Sequence, residues 1–168
     1  MAAEESKGGL SLSIDIPTET AVKLEAEDVK PLLSESKDGS VVVIDVRGAD
    51  HAGGHIAGSV NIPYEKFEAQ LDDLVAKYKD HDHVIFHCMY SEQRGPHCAN
   101  SFLQRRKELF PEADPNSFIL LGGFQKWLAT FYGDEAAMKS LVEDFADSQW
   151  VMDQFGRRVH ATLADSTM

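Results

Sequence analysis

Three short, uninterrupted apolar runs constrain this chain more than any other feature: VVVI at residues 41–44, VIF at 84–86 and FILL at 118–121. A strand with one solvated face alternates apolar and polar residues, so a continuous run of this length reads as a strand buried on both faces. Helical spacing fills the gaps between the runs. Residues 25–33 place Val29, Leu32 and Leu33 on one face, and residues 64–78 do the same with Phe67, Leu71, Leu74, Val75 and Tyr78. After the second run, Pro96 suits the first turn of a helix whose apolar positions are Ala99, Phe102, Leu103 and Leu109. Asp38 and Gly39 turn the chain into the first run, and Val60, Asn61 and Ile62 form another short strand. Buried strands alternating with helices require crossover connections. The expected fold is therefore α/β, with a mostly parallel central sheet and helices on both faces.

A length of 168 residues with 43% hydrophobic content supplies one well-buried core. Residues 1–19 mix Gly, Ser and acidic side chains without periodicity and read as a flexible leader, residues 20–133 as the α/β domain. Residues 134–168 read as a further helix, with Ala137, Leu141, Val142 and Phe145 on one face, followed by a tail. Trp150, Arg157 and Arg158 could make that tail a docking patch for an acidic or phosphorylated partner, but a solvated tail is the simpler expectation. A net charge of −12 leaves no basic surface for a phosphate backbone, which argues against nucleic-acid binding. No apolar stretch approaches the roughly 20 residues that a membrane helix needs, and MAAEESKGG lacks the basic and apolar regions of a signal peptide. The expected location is the cytoplasm or nucleus. Cys88 and Cys98 are then expected to be reduced thiols rather than a disulfide. His51, His55, His81, His83 and His97 have no two-ligand spacing on a common helix face, so no metal is expected.

Open parallel sheets place their ligand sites beyond the carboxyl ends of the strands. Cys88 stands at such an end, in HCMYSEQRGPHC at residues 87–98. A free thiol with a pKa of about 8.5 is a poor nucleophile until something favours its anion. Here the loop of Met89, Tyr90, Ser91, Glu92 and Gln93 can curl so that backbone N–H groups point inward, the following helix adds its positive end, and Arg94 supplies a cation. The same donors would bind a tetrahedral oxyanion, with the planar fork of Arg94 gripping two of its oxygens. Gly95 lets the backbone turn tightly, Ser91 can offer a hydroxyl, and His87 reads as a core histidine that supports the loop. For Cys88 alone, the plain alternative is a small buried hydrophobe at a strand end.

The spacing of His87 and Cys88, five residues, then Arg94, Gly95 and Pro96 resembles rhodanese-fold enzymes. IDVR at residues 44–47, GHIAGSVNIP at 54–63 and LLGGFQKW around Gly122 and Gly123 strengthen the resemblance, which spans residues 20–133. It implies a rhodanese-like α/β domain. Within that fold the seven positions from Cys88 to Arg94 resemble the M-phase inducer phosphatases and the related eukaryotic arsenate reductases, whereas sulfurtransferases resemble a tighter six-residue loop. The resemblance implies a protein tyrosine or dual-specificity phosphatase acting through a phosphocysteine, with Cys88 as nucleophile, Arg94 and residues 89–93 as the oxyanion cradle, and no cofactor. The substrate would be a phosphoprotein or a small oxyanion. An arsenate reductase is the alternative, and it needs a second thiol from Cys98, glutathione or a glutaredoxin. Cys98 is open to two readings, an inward-packing apolar residue or a resolving thiol. Loop length disfavours sulfur transfer from thiosulfate, and the presence of both Cys88 and Arg94 disfavours a silent binding module. Met89 and Gln93 stand where M-phase inducer phosphatases tend to carry Glu, which leaves Glu92 as the only loop carboxylate, expected to be exposed. Asp45 and Arg47 are expected to pair at the sheet edge in a structural role.

Overall fold

In the computed structural model, which describes residues 19–36 and 39–161, the apolar runs lie side by side. The expected leader, apart from Glu19, and Asp38 of the expected turn lie outside the described residues. In chain order the elements are β1 (Val22–Leu24), α1 (Ala26–Glu35), β2 (Val41–Asp45), β3 (His55–Ile56), β4 (Val60–Asn61), α2 (Tyr64–Tyr78) and β5 (His83–His87). They continue with α3 (Arg94–Leu109), β6 (Ser117–Leu120), α4 (Gly123–Phe131), α5 (Glu135–Leu141), β7 (Val142–Glu143), β8 (Trp150–Met152) and β9 (Arg158–His160). Five strands form the main sheet in the order β1-β6-β5-β2-β4, and every pairing in it is parallel.

Successive side chains of a strand point to opposite faces, and this alternation divides the core in two. Val42, Ile44, Val84 and Phe86 join Phe67 and Val75 of α2 and Phe102 and Leu103 of α3 on one face. Val43, Ile85 and Leu120 join Val29 of α1, Phe124 and Trp127 of α4 and Leu141 of α5 on the other. Phe86 is the centre of the first cluster, with ring centroids 5.9 Å from Phe67 and 5.4 Å from Phe102. Aromatic pairs at such spacings add about 0.5–1.5 kcal/mol each beyond the burial itself. Among the described residues, no helix is long and apolar enough to cross a membrane.

The structure corrects several local expectations. β1 escapes the sequence pattern because it is only three residues, VKL, with Val22 exposed at the sheet's edge. The C-terminal helix ends at Leu141, and Val142 leaves it to pair with Ile56 in a small antiparallel ladder. Residues 150–160 are not a solvated tail: β8 and β9 form an antiparallel hairpin whose Trp150 is buried in the second core cluster. The partners that decide these elements lie far away in sequence, where local periodicity carries no information.

Asp45 and Arg47 do pair, but not at an edge. β2 has neighbours on both sides, and both side chains are fully buried. Arg47 donates from Nε to both Asp45 oxygens at 3.0 Å and from Nη2 to Oδ2 at 2.7 Å. Two further donors reach the carbonyls of Asp50 (3.0 Å) and Gly54 (2.9 Å), and its guanidinium lies 4.3 Å from the Phe124 ring centre. Burial alone would raise the Asp45 carboxyl, but His87 and, through charge and hydrogen bonds, Arg47 hold it down at about 2. A carboxyl lowered on folding stabilises the native state in full above its ordinary value of 3.8, and this contribution is lost as pH falls through about 2. Asp45→Asn should therefore destabilise the fold by about 3–5 kcal/mol at neutral pH, because it leaves a buried guanidinium without its counter-charge. Denaturant unfolding at several pH values checks both points, and the variant should show a shallower stability loss than wild type in the acid range.

Candidate active site

The alternation of β5 continues one step past the strand. Cys88 points into the first core cluster and Met89 into the second, so the loop begins by straddling the sheet. Its first carbonyls are then captured. Phe124 N donates to Cys88 O and Gln125 N to Met89 O, both at 3.0 Å, and His87 Nδ1 donates to Cys88 O at 2.9 Å. Capturing these carbonyls requires α4 to approach very closely. A Cβ on Gly123, whose φ is +61°, would lie 2.5 Å from both Cys88 O and Met89 O, which accounts for the second glycine in LLGGFQKW. On the other side of the loop, a Cβ on Gly95 would meet Cys88 N at 3.1 Å, so α3 starts hard against the strand end. Ser91 adopts a left-handed φ of +51°, a reversal that curls the loop between these two anchors. Among the described residues, no backbone N–H of residues 89–93 donates to a protein acceptor. Such a run of free donors ahead of a helix N-terminus is suited to an anion.

Arg94, the first residue of α3, is held from outside the loop. Its Nη1 donates to Asp50 Oδ1 at 3.0 Å and its Nη2 to Oδ2 at 2.6 Å, a bidentate pair with Asp50 almost fully buried. The Asp50 hydrogen bonds outweigh burial and, together with the neighbouring Cys88, hold Arg94 charged above its usual value. A guanidinium carries five N–H donors, so after Asp50 has taken two, three are left for an oxyanion and the thiol. Burial would raise the Asp50 carboxyl, but Arg94 outweighs it and keeps Asp50 ionised. His87 is fully buried, and burial lowers its pKa despite nearby Asp45. The ring uses its Nδ1 hydrogen for the Cys88 carbonyl, while Nε2 has no hydrogen-bond partner among the described residues.

The geometry sorts the residues singled out from the sequence. Cys88, Tyr90, Glu92, Gln93 and Arg94 line one shallow cavity of about 210 Å³. Met89 contributes only backbone, because its side chain is core. The Ser91 hydroxyl is buried, has no hydrogen-bond partner among the described residues, and borders a neighbouring groove rather than the Cys88 cavity. Glu92 is exposed at the mouth, as expected. Cys98 lies on α3 in the first core cluster, fully buried, and burial pushes its thiol up to about 12. Burial also raises the Tyr90 hydroxyl, with smaller opposing influences from Arg157 and Asp153.

The model of the rhodanese-like domain matches residues 28–130. The chain belongs to the rhodanese-like family. This rhodanese-like domain is 36% identical over 103 residues to the dual specificity phosphatase Cdc25 of Arabidopsis thaliana, covering 59% of the chain and 69% of that protein. It is 32% identical over 106 residues to arsenate reductase 2.2 of Oryza sativa subsp. japonica, covering 62% and 79%. Among solved structures it resembles Ygr203w, described as a yeast protein tyrosine phosphatase of the rhodanese family. That match has a TM-score of 0.60 and 28% identity over 77% of this chain and 97% of the other.

Asp50 is the site residue that sequence reasoning missed. Its partner is 44 positions away, and a lone aspartate among GADHAGG carries no periodic signal. Gly123 is the position where the rhodanese-like loop is most easily tested. Gly123→Ala combines a left-handed backbone with a backbone overlap, and should lose about 2 kcal/mol or more of stability. Thermal unfolding measures that loss, and thiol alkylation kinetics should show an altered environment for Cys88 in whatever fraction folds.

Proposed function

We propose that the protein is a cysteine-dependent phosphatase of the protein tyrosine or dual-specificity type. The observation that carries this reading is the Arg94 fork, gripped at its outer edge by Asp50 and neighbouring Cys88 at the end of a loop of free N–H donors. The names of the relatives support it. Cys88 Sγ attacks the phosphorus of a phosphoryl ester in line, forming an S–P bond as the P–O bond to the leaving group breaks. Arg94 and the N–H groups of residues 89–93 hold the equatorial oxygens as charge builds on them. The leaving oxygen takes a proton from water. Water then attacks the phosphocysteine, releases inorganic phosphate and returns the thiolate. These steps call on no cofactor. The shallow cavity has room for a side chain presented on a protein surface, which favours a phosphoprotein as the substrate.

Similarity to a rice arsenate reductase along 79% of that protein favours a second reading with the same first step, attack on arsenate. Reduction to arsenite takes two electrons, which two thiols supply by forming one disulfide, with one arsenate oxygen leaving as water. Cys98 is poorly suited to the second role, because a fully buried thiol pushed up to about 12 stays protonated. The second thiol would therefore come from solution, as glutathione or a glutaredoxin.

Parallel assays on an aryl phosphate and on arsenate with glutathione separate the readings. Cys88→Ser should lose turnover on both, and Arg94→Lys should lower kcat by about 10²- to 10³-fold, because an ammonium cannot reproduce the fork. Cys98→Ser should stay within about twofold of wild type on both, since a similarly sized side chain replaces a thiol that takes no part in the chemistry. Retained phosphatase turnover in Cys88→Ser would falsify the nucleophile, and loss of only arsenate reduction in Cys98→Ser would restore that thiol as the resolving group.

A further inference from the structure

The pairing of Asp50 with Arg94 leaves open what holds Asp50, which sits in a short 3₁₀ turn leading into two glycines of positive φ. Arg47 grips the segment from the core side, through the carbonyls of Asp50 and Gly54. Between them, the carbonyls of Ala52 and Gly53 are held by the C-terminal hairpin. His160 Nε2 donates to Ala52 O at 2.6 Å, and Trp150 Nε1 donates to Gly53 O at 3.0 Å. A carbonyl can only accept, so Nε2 of His160 carries the hydrogen. Trp150 and His160 stand directly opposite each other in the β8–β9 ladder, with ring centroids 5.2 Å apart. One cross-strand pair thus places two donors on two consecutive carbonyls. Ala146 N adds a third bond, to Gly53 O at 3.1 Å. The fit is close enough that a Cβ on Gly53 would lie 2.5 Å from Gln149 Cβ. The hairpin lies beyond the residues matched by the family model.

We infer that the C-terminal hairpin is a strap that sets the oxyanion fork, with Trp150 and His160 as positioning residues acting through Asp50 on Arg94. Within the turn Gly48 N donates to Asp50 Oδ1 at 3.2 Å, but glycine-rich backbone has many conformations open to it, and a turn whose carboxylate lies three residues ahead of a free Gly-Gly segment is not fixed by its own local bonds. Arg47 and the strap together hold the carbonyls of Asp50, Ala52, Gly53 and Gly54, and Asp50 presents both oxygens to the guanidinium. The chain of contacts runs from Trp150 and His160 to the carbonyls of residues 52 and 53, then to the Asp50 carboxylate and to Arg94. This inference rests on the reading of residues 88–94 as an oxyanion cradle.

Its test uses the full chain and tungstate, a tetrahedral dianion that probes the cradle without turnover, with affinity measured by isothermal titration calorimetry. Trp150→Phe keeps the buried ring and removes its N–H, and should weaken tungstate binding by about three- to tenfold, the effect of one lost hydrogen bond. His160→Phe should do likewise, whereas His160→Gln retains a side-chain donor and should stay within about twofold of wild type. The double variant Asp50→Asn with Trp150→Phe should bind no more weakly than Asp50→Asn alone, because both act along one path. Losses that multiply instead, or a Trp150→Phe chain with a lower melting point and unchanged tungstate affinity, would reduce the hairpin to packing and overturn the inference. If Trp150→Phe does not fold, the contrast between His160→Phe and His160→Gln decides. A wild-type chain that binds no tungstate overturns the cradle reading itself, while wild-type affinity indifferent to all these substitutions overturns only the strap.

Discussion

The buried guanidinium of Arg47 is the interaction on which the rest of this structure depends. A cation taken fully out of water is tolerated only with a counter-charge and a partner for each of its donors. Asp45, two residues earlier, supplies the charge, and the carbonyls of Asp50 and Gly54 take two further donors. Phe124 of α4 closes over the guanidinium face at 4.3 Å. Satisfying this one group therefore ties together the end of a central strand, the loop of residues 48–54 and the helix whose first amides capture the carbonyls of Cys88 and Met89. Both walls of the candidate site are placed from the same buried charge.

The two arginines divide the work by exposure. Arg47 is sealed in and uses its donors on the protein, whereas Arg94 is about one-third exposed and gives Asp50 only one side of its fork. Asp50 joins them, since its carbonyl accepts from Arg47 and its carboxylate from Arg94. On the proposed reading of residues 88–94 as an oxyanion cradle, its donors are organised before any anion arrives, and preorganised donors stabilise developing charge without reorganising during the reaction. Free N–H groups on residues 89–93 follow from the same construction. α4 draws two loop carbonyls toward itself, α3 begins tightly against the strand end at Gly95, and the left-handed Ser91 takes up the turn between them.

Phosphoryl and arsenoyl transfer call on the same cradle, so relatives bearing the two kinds of name are compatible with one loop geometry. What separates the chemistries is the fate of the covalent intermediate. Water suffices for one, whereas the other takes electrons from a second thiol. Cys98 is close in sequence to Cys88 but sits in the first core cluster, where burial penalises its anion. Its position on α3 is that of a packing residue, and the open side of the cavity is where a soluble thiol or a phosphoprotein would meet Cys88.

The sequence by itself determined what local pattern can encode. The runs at residues 41–44, 84–86 and 118–121 specified buried parallel strands, and the spacing of Phe67, Leu74 and Val75 specified a helix face. The seven positions from Cys88 to Arg94 specified a thiol and a cation at the two ends of one turn. Only tertiary structure decided that Asp50, 44 residues from Arg94, would pair with its guanidinium. It also decided that Val142 would leave its helix for Ile56, and that Trp150 and His160 would close on residues 52 and 53. Periodicity tells a residue which face it occupies, and it is carried by neighbours three or four positions away. Which distant backbone carbonyl a buried N–H will find depends on how the packed layers meet, because the cost of leaving either group unpaired arises only once both are taken out of water.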